Sequence, residues 1–247
     1  MIGRLVPCRH HAPNPLPMKK ILLAAAASGL LATLLPAATI TWQTPSAITG
    51  ASDVSTQGTY VGSWAPNHAD APNFPVNGVS FQGFSDLSGL NNTLDDGGGY
   101  FGGQNTADSN YNTLLSYGRY VYSDESRSVS WGGMTAGQSY LVQIWISDPR
   151  NIGQTRWANL SGDGDVSPNV YYPADGTGVG SYIIGTFVAD ASGNQTITID
   201  PSSLVEGVPG GGSAQINLMQ VRLIPEPASL GLAGLGMMSC LLRRRRH

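Results

Sequence analysis

The side chains best suited to chemistry crowd into one stretch. Between residues 145 and 172 stand Trp145, Asp148, Arg150, Gln154, Arg156, Trp157, Asn159, Asn169, Tyr171 and Tyr172. Aromatic faces set among amides, carboxylates and guanidinium groups suit a polyhydroxyl ligand, because rings cover apolar C–H faces while polar groups meet the hydroxyls. Trp145, Asp148, Arg150, Arg156, Trp157, Asn159, Tyr171 and Tyr172 are therefore the candidate ligand-binding set. The same residues have a plainer use: aromatics fill β-protein cores, and Arg150 or Arg156 can simply pair with a neighbouring Asp.

Metal and catalytic candidates are fewer. Asp163-Gly164-Asp165 and Asp95-Asp96 before Gly97-Gly98-Gly99 put hard oxygen donors on turns of the kind that Ca²⁺ accepts, so a structural calcium is the one cofactor the residues suggest. Asp-Gly pairs also make ordinary solvated turns. Of the four histidines, His10, His11 and His247 lie at the ends, which leaves His68 alone in the middle, read as a surface-loop residue, and excludes a three-histidine zinc site. No Gly-x-Ser-x-Gly turn accompanies it. No Lys occurs between residues 39 and 224, so no phosphate-binding Gly-Lys loop is possible there. A glycosidase would need two carboxylates at fixed separation, and the only glutamates in this region, Glu125 and Glu206, sit in no motif. A non-catalytic protein is expected.

Whatever positions these groups is β-structure. Of 247 residues, 32 are Gly and 12% are charged, about half the ~25% of an average domain, which indicates a folded, turn-rich chain. Tyr140 to Ser147 alternates with apolar residues on both faces, which predicts a central strand. Val129 and Trp131 share a face, and residues 132–137 supply a hairpin-like connection to Tyr140. Further strands are expected at Ile40 to Trp42, Val79 to Phe84, Tyr182 to Val188, Gln195 to Ile199 and Ala214 to Leu223. A short helix is expected at Ser109 to Ser116, capped by Ser109 and packing Tyr111, Leu114 and Leu115. About eight short strands predict an all-β, single jelly-roll sandwich over residues 39–224. The segment from Trp131 to Tyr140 resembles that in galactose-binding-like jelly rolls of exported bacterial proteins, a likeness of one segment that bears on fold.

Charge is distributed unevenly. Between residues 39 and 224, fifteen carboxylates face five arginines, a surface that repels phosphate backbones and argues against nucleic acid as a partner. Cations gather at the ends. Lys19-Lys20, an apolar run from Ile21 to Leu35 and small residues at 37 and 38 make a signal-peptide pattern over residues 18–38, with residues 1–17 read as an over-extended, disordered start. Fifteen residues reach about 22 Å, short of a ~30 Å membrane core. Cys8 and Cys240 both lie outside the exported part, which can form no disulfide.

At the other end Pro225-Glu226-Pro227 precedes an apolar run to Leu242 and then Arg243, Arg244, Arg245 and Arg246. This ordered triplet of elements resembles the PEP-CTERM sorting signal over residues 225–247. The signal-peptide pattern predicts an N-terminal signal helix handled by signal peptidase, and the tail a C-terminal hydrophobic helix that anchors the chain transiently in the inner membrane; the resemblance itself bears on sorting. It implies cleavage near the motif by an exosortase and delivery to the cell surface or exopolysaccharide matrix. Four arginines would hold their edge of the membrane in the cytoplasm and the domain outside. Extracellular polysaccharide is the expected partner. The alternatives are a structural coat protein without a specific ligand and, behind it, a glycan-active hydrolase.

Overall fold

The computed structural model describes residues 39–83, 90–94, 97–121, 125–172, 174–176, 178–204 and 212–225. The leader, Asp95, Asp96, Glu226, Pro227 and the arginines from 243 to 246 lie outside the described residues. In chain order the strands are β1 Thr41–Trp42, β2 Ser46–Ala47, β3 Thr59–Trp64, β4 Leu90–Asn92, β5 Gly97–Tyr100, β6 Tyr117–Tyr120, β7 Arg127–Trp131 and β8 Ser139–Ile146. They continue as β9 Asn151–Gly162, β10 Asp165–Val166, β11 Val170–Tyr171, β12 Ala174–Asp175, β13 Ser181–Val188, β14 Gln195–Leu204, β15 Gln215–Ile216 and β16 Leu218–Leu223, with one helix, α1 Ser109–Leu115.

Two antiparallel sheets face each other. The first runs β1-β13-β8-β16-β3, with β2 also on β13; the second runs β10-β9-β14-β7-β4, with β11 and β12 also on β9; β15-β6-β5 make a small third sheet. Val142, Ile144 and Ile146 of β8 meet Val129 and Trp131 of β7 and Leu160 of β9 in one buried cluster, so apolar stripes from both sheets form the interior. From β7 to β8, β9, β13, β14 and β16 the chain changes sheet at every long strand, which is jelly-roll behaviour.

β8 is central, as its two apolar faces predict. Its second face is covered by a further layer, in which Trp145 packs with Phe81, Leu218 and the helix residues Tyr111, Leu114 and Leu115. The helix is capped one residue earlier than expected: the Asp108 side chain accepts the Tyr111 N–H at 2.8 Å. The charged side chain of Asp108 reaches the free amide and complements the helix dipole.

Four expectations need correction. Residues 132–137 make no hairpin, since β7 and β8 belong to different sheets and the segment arches across the sandwich. Of the strand expected from Val79 to Phe84, Phe84 lies outside the described residues and 79–83 form no strand: Asn77 and Gly78 take left-handed conformations, φ 47° and 74°, in a tight turn joining Val76 to Val79, and the alternating Val79 and Phe81 fill the outer layer. Gln195 to Ile199 continues to Leu204, with Pro201 opposite Ala158. The last predicted strand is broken at Asn217, between β15 and β16.

Candidate functional site

The stretch from 151 to 162, not among the strands expected from the sequence, is a twelve-residue strand. Strand parity then divides the candidate residues. Arg156, Ala158, Leu160 and Gly162 point inward, while Thr155, Trp157, Asn159 and Ser161 point outward on the exposed face of the second sheet. β11 sets Tyr171 directly opposite Trp157. Their ring centroids are 6.0 Å apart with planes at 45°, and Tyr171 is 48% exposed. Two residues along the same face, Asn159 donates from Nδ2 to Asn169 Oδ1 and to the Ser167 carbonyl, each at 2.9 Å.

Beyond Asn159 the face is a lattice of hydroxyls. Thr198 of β14 stands between Ser161 of β9 and Ser128 of β7, and Thr196 stands beside Ser130. Strand spacing of about 4.8 Å and a same-face repeat of about 6.8 Å make this a regular, nearly flat array. Asp200 is its charged member, and it accepts a 2.9 Å hydrogen bond from the Ser126 hydroxyl. These hydroxyl positions were not singled out in the sequence, although the alternation Thr196-Ile197-Thr198-Ile199-Asp200 carries the signal of a half-buried strand.

The remaining candidates point the other way. Trp145 is fully buried between Phe81 and Tyr182, with ring centroids 6.0 and 6.3 Å away. Tyr172, next to Tyr171 but opposite in parity, is fully buried and donates its hydroxyl to the Ser213 carbonyl at 2.6 Å. Burial raises the Tyr172 pKa well above the usual phenol range, with Arg156 and that hydrogen bond opposing the rise. Asp148 is fully buried and takes a two-pronged contact from Arg150, Nε to Oδ1 and Nη2 to Oδ2, both 2.7 Å. Arg156 adds Nη1 to Oδ2 at 3.3 Å. The Arg150 guanidinium also lies 4.6 Å from the centre of the Phe101 ring. Tyr172, Asp148, Arg150 and Arg156 build the scaffold, while Trp145 fills the outer layer on the far side of the first sheet.

Asp163 (φ 39°) and Gly164 (φ 119°) form the turn between β9 and β10, and Asp163 Oδ2 lies 3.4 Å from Gln195 Nε2. Asp165 opens β10 opposite Gly162. Among the described residues no third His, Cys, Asp or Glu joins them in a group able to hold a metal ion.

His68 is not the surface histidine expected. It is 8% exposed, its ring meets Phe74 and Tyr117 edge-on at 5.3 and 4.5 Å, and its buried Nδ1 has no hydrogen-bond partner among the described residues. Burial lowers its pKa, and Asp70 pulls weakly the other way. The unfolded chain therefore binds the proton more readily than the fold does. Stability is expected to be complete above the ordinary histidine pKa of about 6.5 and to fall as the pH drops below it. Thermal midpoints between pH 5 and 7.5 should show this slope in the wild type, and His68→Phe should flatten it.

Residues 223–246 match the PEP-CTERM protein-sorting motif. The motif marks the chain as exported and sorted by an exosortase to the surface or extracellular space. Among the described residues no helix is long and apolar enough to cross a membrane. No curated protein sequence matches the chain. Similar solved structures include the ANX1 ectodomain of Arabidopsis thaliana, with 9% identity, TM-score 0.48, and coverage of 74% of this chain and 54% of that one. They also include the ANX2 ectodomain of the same plant, with 11% identity, TM-score 0.47, and coverage of 68% and 50%. A family 35 carbohydrate binding module from Clostridium thermocellum aligns at 14% identity and TM-score 0.26 over 40% of this chain and 71% of that one. The chain thus spans about half the length of the two ectodomains. At these similarities the fold assignment rests on the sheet topology itself.

Proposed function

We propose that this is a non-catalytic surface or matrix protein that binds extracellular polysaccharide on the outer face of its second sheet, with Trp157 and Tyr171 as the stacking pair. The observation that carries the reading is the pair itself: two rings from adjacent strands on an exposed face, beside the Asn159 amide and a lattice of hydroxyls. Outward-facing rings, here an exposed Tyr171 beside a half-buried Trp157, offer apolar area to the C–H face of a sugar, and the neighbouring amide and hydroxyls can exchange hydrogen bonds with its hydroxyl groups. The leader delivers the chain to export, the C-terminal apolar segment holds it transiently in the inner membrane, and cleavage near Pro225–Pro227 releases it to the surface.

Binding of the mature protein to the producing cell's own polysaccharide, with and without Ca²⁺, tests this. Trp157→Ala and Tyr171→Ala are each expected to weaken binding by about tenfold or more, the effect of losing a central aromatic contact worth roughly 1.4 kcal/mol or more. Both variants should retain the wild-type fold by circular dichroism. Wild-type affinity in both variants, or no binding by a folded wild type, would overturn the reading and leave a coat role without a specific ligand as the better account.

A further inference from the structure

The sorting motif begins inside the folded sheet. Its first matched residue, Leu223, closes β16 and stands in register with Tyr140 of β8 on one side and Thr59 of β3 on the other. The Ile224 N–H donates to the Ser139 carbonyl at 2.9 Å. Gly58, at φ 77°, is pressed so close that a Cβ there would collide with the Leu223 carbonyl. Pro225 is exposed, and Glu226 follows only two residues after the last sheet hydrogen bond, a span of at most about 7 Å.

Thr39 and Ile224 line one shallow groove of about 250 Å³ together with Thr41, Ser139, Thr186 and Val188. The described chain thus enters and leaves at the same end of the sandwich. The groove lining carries no charged side chain, in a domain with fifteen carboxylates, and Val188 is 47% exposed. An enzyme that reads Pro225–Glu226–Pro227 as an extended peptide cannot draw the motif far from this surface. Peeling β16 would expose the fully buried Val221 and break the contacts of Arg222 to the carbonyls of Thr56, Gln57 and Gly58.

We propose that this groove, uncharged in its lining, is a docking surface for the membrane-embedded peptidase, which recognises the motif together with the fold that presents it. The proposal rests on the sorting reading. It leaves the polysaccharide face free, because Trp157 lies five residues along β9 from Gly162, which packs against Ile40 at the docking end, a distance of about 17 Å.

Conversion of precursor to processed protein, followed by pulse-chase in the producing cell, is the test. Val188→Glu and Thr41→Glu alter exposed side chains and should leave the fold intact, as judged by protease resistance. Each is expected to slow conversion by about tenfold, a loss of about 1.4 kcal/mol in enzyme recognition. Ile152→Glu, equally exposed but at the start of β9, should convert at the wild-type rate. An eight-residue Gly-Ser spacer inserted after Ile224 should restore the rate of the two slow variants by moving the charged end away from the enzyme. Wild-type rates in both variants, or slow variants that the spacer does not rescue, overturn the docking surface. A wild-type chain that is never converted, or is converted equally well as Glu226→Ala, overturns the sorting reading and the proposal with it.

Discussion

Asp148→Ala is expected to destabilise the sandwich by about 3 kcal/mol, at the lower end of the range for breaking a buried ion pair from one side. The carboxylate is fully buried and holds two guanidinium groups across the crossing from β8 to β9. Without it Arg156, whose side chain is 10% exposed and whose Nε has no partner among the described residues, keeps an uncompensated buried charge. Arg150 is 36% exposed and can turn to water, so Arg150→Ala should cost no more than about 1 kcal/mol. Removing the stranded cation as well, in Asp148→Ala/Arg156→Met, should recover part of the loss. Urea denaturation midpoints of the four proteins measure these terms. A loss below about 1 kcal/mol for Asp148→Ala would show that the triad is not structural.

That triad explains why the candidate site was only partly legible in sequence. The richness of residues 145–172 in rings and polar groups was visible, but which rings face a ligand depends on strand parity. Parity could not be assigned while residues 151–162 looked unlike a strand. They looked so because the inward positions are Arg156, Ala158, Leu160 and Gly162, of which only Leu160 is strongly apolar. The guanidinium of Arg156 is acceptable inside only because Asp148, eight residues earlier, is there to meet it. β8 carried no such disguise: Val142, Ile144 and Ile146 alternate with Leu141 and Trp145, and both faces are buried. The sorting tail was legible for a different reason, since its three elements are read in order without reference to a fold. That the motif abuts a strand was legible as well, since a strand was expected up to Leu223; its pairing with β8 and β3 was not.

Buried amides were the least legible feature and carry the second large effect. Asn217→Ala is expected to cost about 3 to 4 kcal/mol, because several buried groups lose their partners together. Asn217 is fully buried in the break between β15 and β16. Its Nδ2 lies 2.9 Å from the Leu115 carbonyl at the end of α1, 3.1 Å from that of Tyr117 in β6 and 3.0 Å from that of Ser147 just past β8. Its Oδ1 accepts from the Ser147 N–H at 2.8 Å and from Gln215 Nε2 at 3.0 Å. One side chain thus joins the helix, the small sheet and the end of the central strand. Asn217→Asp should be worse than alanine at neutral pH, because a second carboxylate oxygen would face three carbonyls in place of a donor. Such a carboxyl has a raised pKa in the fold, so this variant should regain stability as the pH falls, and the gap to alanine should narrow. Denaturation midpoints of both variants at pH 5 and pH 7.5 test the sign. Equal midpoints at both pH values would mean that the Asn217 donor is not facing those carbonyls.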